Sequence, residues 1–183
     1  DGGGAFYFVD SESFNLKIIG SQSDNVILSG DNTDQILNFN STNPEASLDL
    51  DSISFVDGYN AETNGGAIYS GRTATINRCV FLRNNSLARG GALAGSAHIY
   101  SSIFRNNSSG GHGGGLYSSW ATPIIVSNTI FENNQSSGRG GAFHVAKSIV
   151  TNSLFISNSA SIRGGAFNAT NGASITNSTI INN

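Results

Sequence analysis

Six aspartates, Asp24, Asp31, Asp34, Asp49, Asp51 and Asp57, crowd into 34 positions near the start of the chain. Cleaving a glycosidic bond takes two carboxyl groups facing each other across a substrate. Asp49 and Asp51 alternate with Leu48 and Leu50, so both project from one outer face. The same pair is the chain's candidate for Ca²⁺, a hard cation that takes several oxygen ligands. Neither EF-hand spacing nor a run of Asp-Gly nonapeptides accompanies them, and solvated outer-face acids are the preferred reading. From residue 63 onward the one acid is Glu132, expected to pair with Arg105 one repeat earlier, so no two-carboxylate site can be built there. His98, His112 and His144 fall at different phases of the repeat described below and read as separate surface groups. Serine is too frequent to specify a Ser-His-Asp arrangement. The glycine run Gly110–Gly115 has no helix after it and is not a phosphate loop. Cys79 stands alone, which removes an intramolecular disulfide and any cysteine-based zinc site. No catalytic residue is assigned and no cofactor is expected.

The elements that would have to position such groups follow from composition. Gly, Asn and Ser supply 74 of the 183 residues, and charged residues only 11%. Disorder needs low hydrophobicity with high net charge; here 38% of residues are apolar, eleven of them Phe, and the net charge is −3. Long amphipathic helices are not expected, because the strong helix formers are not dominant and Met is absent. No run of 18 apolar residues offers a membrane-spanning helix. An acidic balance argues against a general nucleic-acid binder. A β-rich, loop-rich chain remains. It begins at Asp1 without Met or an apolar leader, so a mature form or an excised fragment is expected, with export signal and anchor outside it.

Two motifs recur in phase. A Gly-Gly pair opens at Gly65, Gly90, Gly114, Gly140 and Gly164, with steps of 25, 24, 26 and 24 residues. Phe-x-x-Asn recurs at Phe81/Asn84, Phe104/Asn107, Phe131/Asn134 and Phe155/Asn158, and Ile180/Asn183 closes the series. The segments Ile76–Phe81, Ile99–Phe104, Val126–Phe131, Val150–Phe155 and Ile175–Ile180 read as short strands. No unit holds the 10 to 12 residues of helical periodicity that leucine-rich or ankyrin repeats need, and propeller blades need about 40 residues. A unit of about 24–26 residues fits one coil of a single-stranded parallel β-helix, an all-β solenoid whose coils stack about 4.8 Å apart. Residues 1–30 are read as a cap or irregular first coil, and 31–183 as coils with regular repeats from 63.

Stacking coils superposes like residues. Phe81, Phe104, Phe131 and Phe155 should form an interior aromatic stack, and Asn84, Asn107, Asn134, Asn158 and Asn183 an amide ladder. The outer surface offers three candidate contacts. Val80, Ile103, Ile130 and Leu154 form an aliphatic column that either faces outward or turns inward at a corner. Arg89, Arg139 and Arg163 precede glycine pairs and share a column. Trp120, in the insertion Ser119–Pro123, is either a platform for a glycan or a cover for its own coil. Charge is segregated: residues 1–62 balance to −10 and residues 63–183 to +7. Along a solenoid this gives an acidic end and a basic body, suited to head-to-tail or lateral self-association.

Gly-Gly-Ala-Ile (65–68) alternating with Phe-x-x-Asn resembles the repeats of the chlamydial polymorphic outer-membrane protein family, shared by bacterial surface proteins with pectate-lyase-like right-handed β-helices. Leu16-Lys-Ile-Ile-Gly-Ser and Val26-Ile-Leu-Ser-Gly-Asp31 resemble the first coils of such proteins, so the likeness covers about residues 16–183. It implies a right-handed helix, as does the crossover preference, and an exported, extracellular or cell-surface stalk that is adhesive or self-associating. The expected function is therefore a non-enzymatic structural or adhesive module, assembling into a filament or sheath in its sharper form. It binds a surface glycan, a protein or its own copies, and neither nucleic acid nor a membrane. The alternative is a carbohydrate-active enzyme or carbohydrate-binding β-helix of the polysaccharide lyase or hydrolase type.

Overall fold

The computed structural model describes residues 6–8, 11, 13–21 and 26–183. Among them all regular structure is strand, and every strand pairing is parallel. The chain winds through a parallel β-solenoid whose rungs lie on four sheets. Sheet A holds Phe6–Phe8, Leu37–Phe39, Ile68–Ser70, Leu93–Ala94, Leu116–Ser118, Phe143–Val145 and Phe167–Ala169. Sheet B runs from Asn15–Ile19 to Ala173–Thr176, and sheet C from Val26–Ser29 to Thr179–Ile181, each with seven strands. Five two-residue strands, from Tyr59–Asn60 to Ser159–Ala160, make the narrow sheet D. Phe6–Phe8, Asn15–Ile19 and Val26–Ser29 thus form the first rung, paired to the next like any other.

Each corner has its own device. The segment preceding Phe81, Phe104, Phe131 and Phe155 reads as one strand in the sequence but is two strands meeting at an angle. The bend is one residue with φ near +50°: Arg78, Ser101, Asn128, Asn152 and Asn177, with Ser52 before them. The bend shifts the inward–outward alternation by one residue, so that Ile76 and Phe81, five apart, both point inward. Asp57, Arg83, Asn106, Asn133 and Ser157 make the same bend between sheets C and D, and Asn182 takes the same φ after the last strand of sheet C. Asn is common in both columns because it tolerates this region better than most residues.

The glycine pairs form the corner from D to A, and their two members do different work. The first takes φ between +67° and +81°. In the first four pairs a Cβ on the second would stand 2.0–2.3 Å from a glycine carbonyl oxygen of the following rung. Backbone bonds from Gly91 N–H to Gly113 O and from Gly113 N–H to Arg139 O fix the third pair as Gly113-Gly114, one residue before the sequence assignment of Gly114-Gly115. The run of three glycines hides the register, and Gly115 takes the place of the Ala in Gly-Gly-Ala.

Inward side chains fill the tube. Phe55, Phe81, Phe104, Phe131 and Phe155 are fully buried, with successive ring centroids 5.0, 4.4, 4.8 and 5.2 Å apart and planes within 15°. Phe143 meets Phe131 and Phe155 edge-on at 5.6 Å, both favourable ring geometries. Ile76, Ile99, Val126 and Val150 line sheet B with no exposure. Burying one such side chain contributes about 1.5–3 kcal/mol, so each rung adds a similar increment to one continuous core.

Candidate functional site

Two polar columns of the interior are hydrogen-bonded from rung to rung; buried Ser86, Ser109 and Ser136 form a further one on sheet D. In the first, Asn84 Nδ2 donates to Asn107 Oδ1 at 3.0 Å, Asn107 to Asn134 at 2.9 Å, Asn134 to Asn158 at 2.9 Å, and Asn158 to Asn183 at 2.7 Å. The second amide proton of Asn107 goes to Phe81 O, and that of Asn134 to Phe104 O. Asn84, Asn107, Asn134 and Asn158 are at most 1% exposed. The second column escaped the sequence reading. Cys79, Ser102, Thr129, Ser153 and Ser178 each stand two residues before the ladder Phe or its counterpart Ile180. The Ser102, Thr129, Ser153 and Ser178 hydroxyls accept the backbone N–H of the preceding rung at 3.1–3.4 Å. They also donate to a carbonyl two residues back. Reading the motif as [Ser/Thr]-x-Phe-x-x-Asn would have exposed it. Cys79 is its sulfur member, and burial pushes its thiol up to about 11, which leaves it protonated and unreactive at neutral pH.

The carboxylates are engaged by arginines of adjacent rungs. Asp51 meets Arg78 at 2.5 Å, Asp57 meets Arg83 through two bonds of 2.7 and 2.8 Å, and Glu132 meets Arg105 at 2.7 Å. All three pairs are partly solvated, so each contributes about 0–1 kcal/mol. Asp49 faces Lys17 on one side and Thr75 on the other along sheet B. With Asp51 held by Arg78, the two carboxylates do not act as a free pair. Among the described residues no group of three or more His, Cys, Asp or Glu side chains is placed to hold a metal ion. Asp24 lies outside the described residues. Two of these pairs also stitch the acidic first rungs to the basic body.

Val80, Ile103, Ile130 and Leu154 point outward on sheet C and are half-buried; their neighbours Phe81, Phe104, Phe131 and Phe155 take the inward positions. On the opposite side, the arginine column contains a histidine. Successive backbone bonds run Gly65 to Arg89, Gly90 to His112, Gly113 to Arg139 and Gly140 to Arg163, so His112 fills the rung between Arg89 and Arg139. The expectation of three unrelated histidines is corrected here. His112 and His144 lie with ring centroids 4.9 Å apart, and His144 stacks on Tyr117 at 5.8 Å and 7°. The Arg89 guanidinium covers Tyr117 at 5.0 Å and donates to its hydroxyl at 2.8 Å. His98 stays apart, on sheet B. The shift of the glycine register by one residue concealed this cluster. Burial, then His112 and Arg139, lowers His144 to about 4; burial, then Arg89 and Arg139, lowers His112. His112 Nδ1 accepts the Arg139 backbone N–H at 3.1 Å. Two imidazoles thus stand among arginines, where burial and the neighbouring cations disfavour the charged form of each.

The geometry defines a parallel β-helix with a continuous asparagine ladder inside and chemically distinct outer faces. Residues 101–119 and 128–146 match the model of the Chlamydia polymorphic membrane protein repeat. Each segment carries one Phe-x-x-Asn and the following glycine corner, and together they occupy successive coils. No curated protein and no solved structure matches the chain.

Proposed function

We propose that this chain is a non-enzymatic β-helix module of a cell-surface or outer-membrane protein, exported and working as a rigid, adhesive rod. One observation carries the reading: the segments that match the polymorphic membrane protein repeat are successive coils of one solenoid, so the motif's residues are those that build the rod. Phe104, Asn107, Phe131 and Asn134 face inward and are fully or almost fully buried, which leaves recognition to the outer columns. Self-association is the sharper form of the proposal. Outward Val80, Ile103, Ile130 and Leu154 on sheet C supply an apolar stripe, and the acidic first rungs complement Arg89, Arg139 and Arg163 on the body.

The test combines bead adhesion with particle size. Beads coated with the purified chain should bind cultured cells more than beads coated with a heat-denatured sample. Light scattering at low salt should show assemblies that dissociate as salt is raised, since exposed charges are screened beyond about 10 Å at 0.1 M. Failure of native beads to exceed the denatured control would refute adhesion, and a salt-independent monomer would refute assembly.

A further inference from the structure

Sheet A carries an outward column Asn38, Tyr69, Ala94, Tyr117, His144 and Asn168, one residue per rung. Four of its members are planar amides or rings that flank Ala94 within two rungs, and Ala94 interrupts them with a methyl group. The interruption coincides with the shortest crossing from sheet A to sheet B. From sheet A to sheet B, the Tyr69 rung needs Ser70–Thr73 and the Tyr117 rung Ser118–Pro123, whereas the Ala94 rung crosses with Gly95 and Ser96 alone. That short crossing is held in place: Gly95 has φ +138°, and a Cβ there would stand 2.4 Å from Ser70 O. The rung is recessed between two longer neighbours, and a slot opens above it.

Ala94 and Gly95 form the floor of the slot, Tyr69 and Ser70 one wall, and Tyr117, Ser118 and Ser119 the other; Trp120 and Asn64 complete it. Its enclosed volume is about 90 Å³, well under the roughly 300 Å³ of ligand clefts, so it is a shallow recess that takes one edge of a ring and leaves the rest in solvent. An α-helix, about 10 Å across with its side chains, is too wide for a recess one rung high. The lining pairs aromatic surface with hydroxyl and amide groups. A saturated ring with an apolar C–H face and a polar rim matches that chemistry. The border of the slot is cationic, because Arg89 is bonded to the Tyr117 hydroxyl and Arg139 lies one rung beyond it. No carboxylate lines the slot, and the one acid after residue 63, Glu132, is tied to Arg105 on sheet C.

We propose that this slot binds a single carboxylated sugar ring, the terminal or internal acidic residue of a surface glycan, with the ring on Tyr69 and Trp120 and its carboxylate toward Arg89. The site stands on its own geometry and does not depend on the adhesive or self-assembling reading above.

Trp120 is the one tryptophan of the chain, so its fluorescence reports directly on the slot. Methyl glucuronide, the methyl glycoside of N-acetylneuraminic acid, and neutral methyl glucoside are titrated into the whole chain. At least one acidic sugar should give a saturable change with Kd of the order of 1 mM, and the neutral sugar should bind at least about fivefold more weakly, the margin a single charged contact provides. Which acidic sugar responds separates a uronic from a sialic source. Ala94→Tyr extends the aromatic column into the slot and should abolish the response while the far-ultraviolet spectrum is unchanged. Arg89→Gln should reduce the acidic sugar to the level of the neutral one. Should Ala94→Tyr not fold, Trp120→Ala, in an insertion outside the core, replaces it with saturation-transfer NMR as the readout, and binding should weaken. No saturable response to either acidic sugar, equal binding of the neutral sugar, or undiminished binding in the slot-filling or Trp120 variant each overturns the proposal.

Discussion

Asn134 Oδ1 accepts two hydrogen bonds from Asn107, one from its side-chain amide at 2.9 Å and one from its backbone N–H at 3.2 Å. The same two-to-one contact joins Asn84 to Asn107, Asn134 to Asn158 and Asn158 to Asn183. An asparagine here ties three things together: the backbone and amide of the previous asparagine, the carbonyl of the previous rung's phenylalanine, and the next asparagine. No other side chain of that size offers both a donor pair and a two-lone-pair acceptor.

Asn107→Ala removes the acceptor of the Asn84 backbone and side-chain N–H groups and the donor to Phe81 O, all buried. The expected destabilisation is about 3 kcal/mol, since each stranded buried group costs about 1–3 kcal/mol. Asn107→Asp should be worse, about 3–5 kcal/mol, because a buried carboxylate oxygen would face the oxygens of Phe81 and Asn134. Urea unfolding followed by circular dichroism measures both, and a loss below 1 kcal/mol for Asn107→Asp would contradict the ladder.

Phe104 lies between Phe81 at 4.4 Å and Phe131 at 4.8 Å with no exposure. Phe104→Ala opens a gap in a rigid column and should cost about 3–5 kcal/mol. Phe104→Leu retains most of the volume and should cost about 1–2 kcal/mol, the ordinary range for a partial core truncation. The ratio of the two midpoints in denaturant tests whether volume or ring stacking dominates.

Asn106 is exposed and turns the corner at φ +56°. Asn106→Gly should leave stability within about 0.5 kcal/mol, whereas Asn106→Val should lose about 1–2 kcal/mol, because a β-branched residue resists the left-handed region. Thermal unfolding of the pair isolates backbone strain from packing. Equal melting temperatures would remove the corner from the account of the fold.

His144 is held at about 4 in the folded chain, below its ordinary 6.5, because burial and the nearby His112 and Arg139 disfavour the imidazolium. As pH falls, the unfolded chain therefore takes up this proton first. The contribution of His144 to stability is complete above pH 6.5 and is lost progressively down to about pH 4. The group is half-exposed, so the loss amounts to about 1 kcal/mol after solvent screening. His144→Asn, which copies Asn168 of the next rung, should flatten the profile of unfolding free energy between pH 4 and 6.5. A variant with the wild-type slope would place the titration elsewhere.

The aromatic stack and the amide ladder were legible because superposition repeats a residue at the period of the coil. Four Phe-x-x-Asn motifs locate the rungs even though the coils differ by up to four residues in length. The corners were less legible. The bends at Arg78 and Ser101 are set by a single backbone angle, and neither residue type announces it. The Gly113-Gly114-Gly115 run let the register slip by one, which separated His112 from its column and so from His144. The hydroxyl column was visible in principle, but serine is so frequent in this chain that Ser102 and Ser153 carried no signal alone. The slot over Ala94 depends on the difference in length between three neighbouring corners, a comparison that needs strand register first.

From the Phe81 rung to the Phe155 rung the contacts that join one coil to the next repeat: a ring on a ring, an amide on an amide, a hydroxyl under a backbone N–H. A unit of 23 to 27 residues can therefore be duplicated or lost between equivalent points without creating a new kind of joint. Heredity can lengthen or shorten such a rod by counting, one step of about 4.8 Å at a time, while its cross-section is preserved and, over those rungs, only the crossing from sheet A to sheet B varies in length.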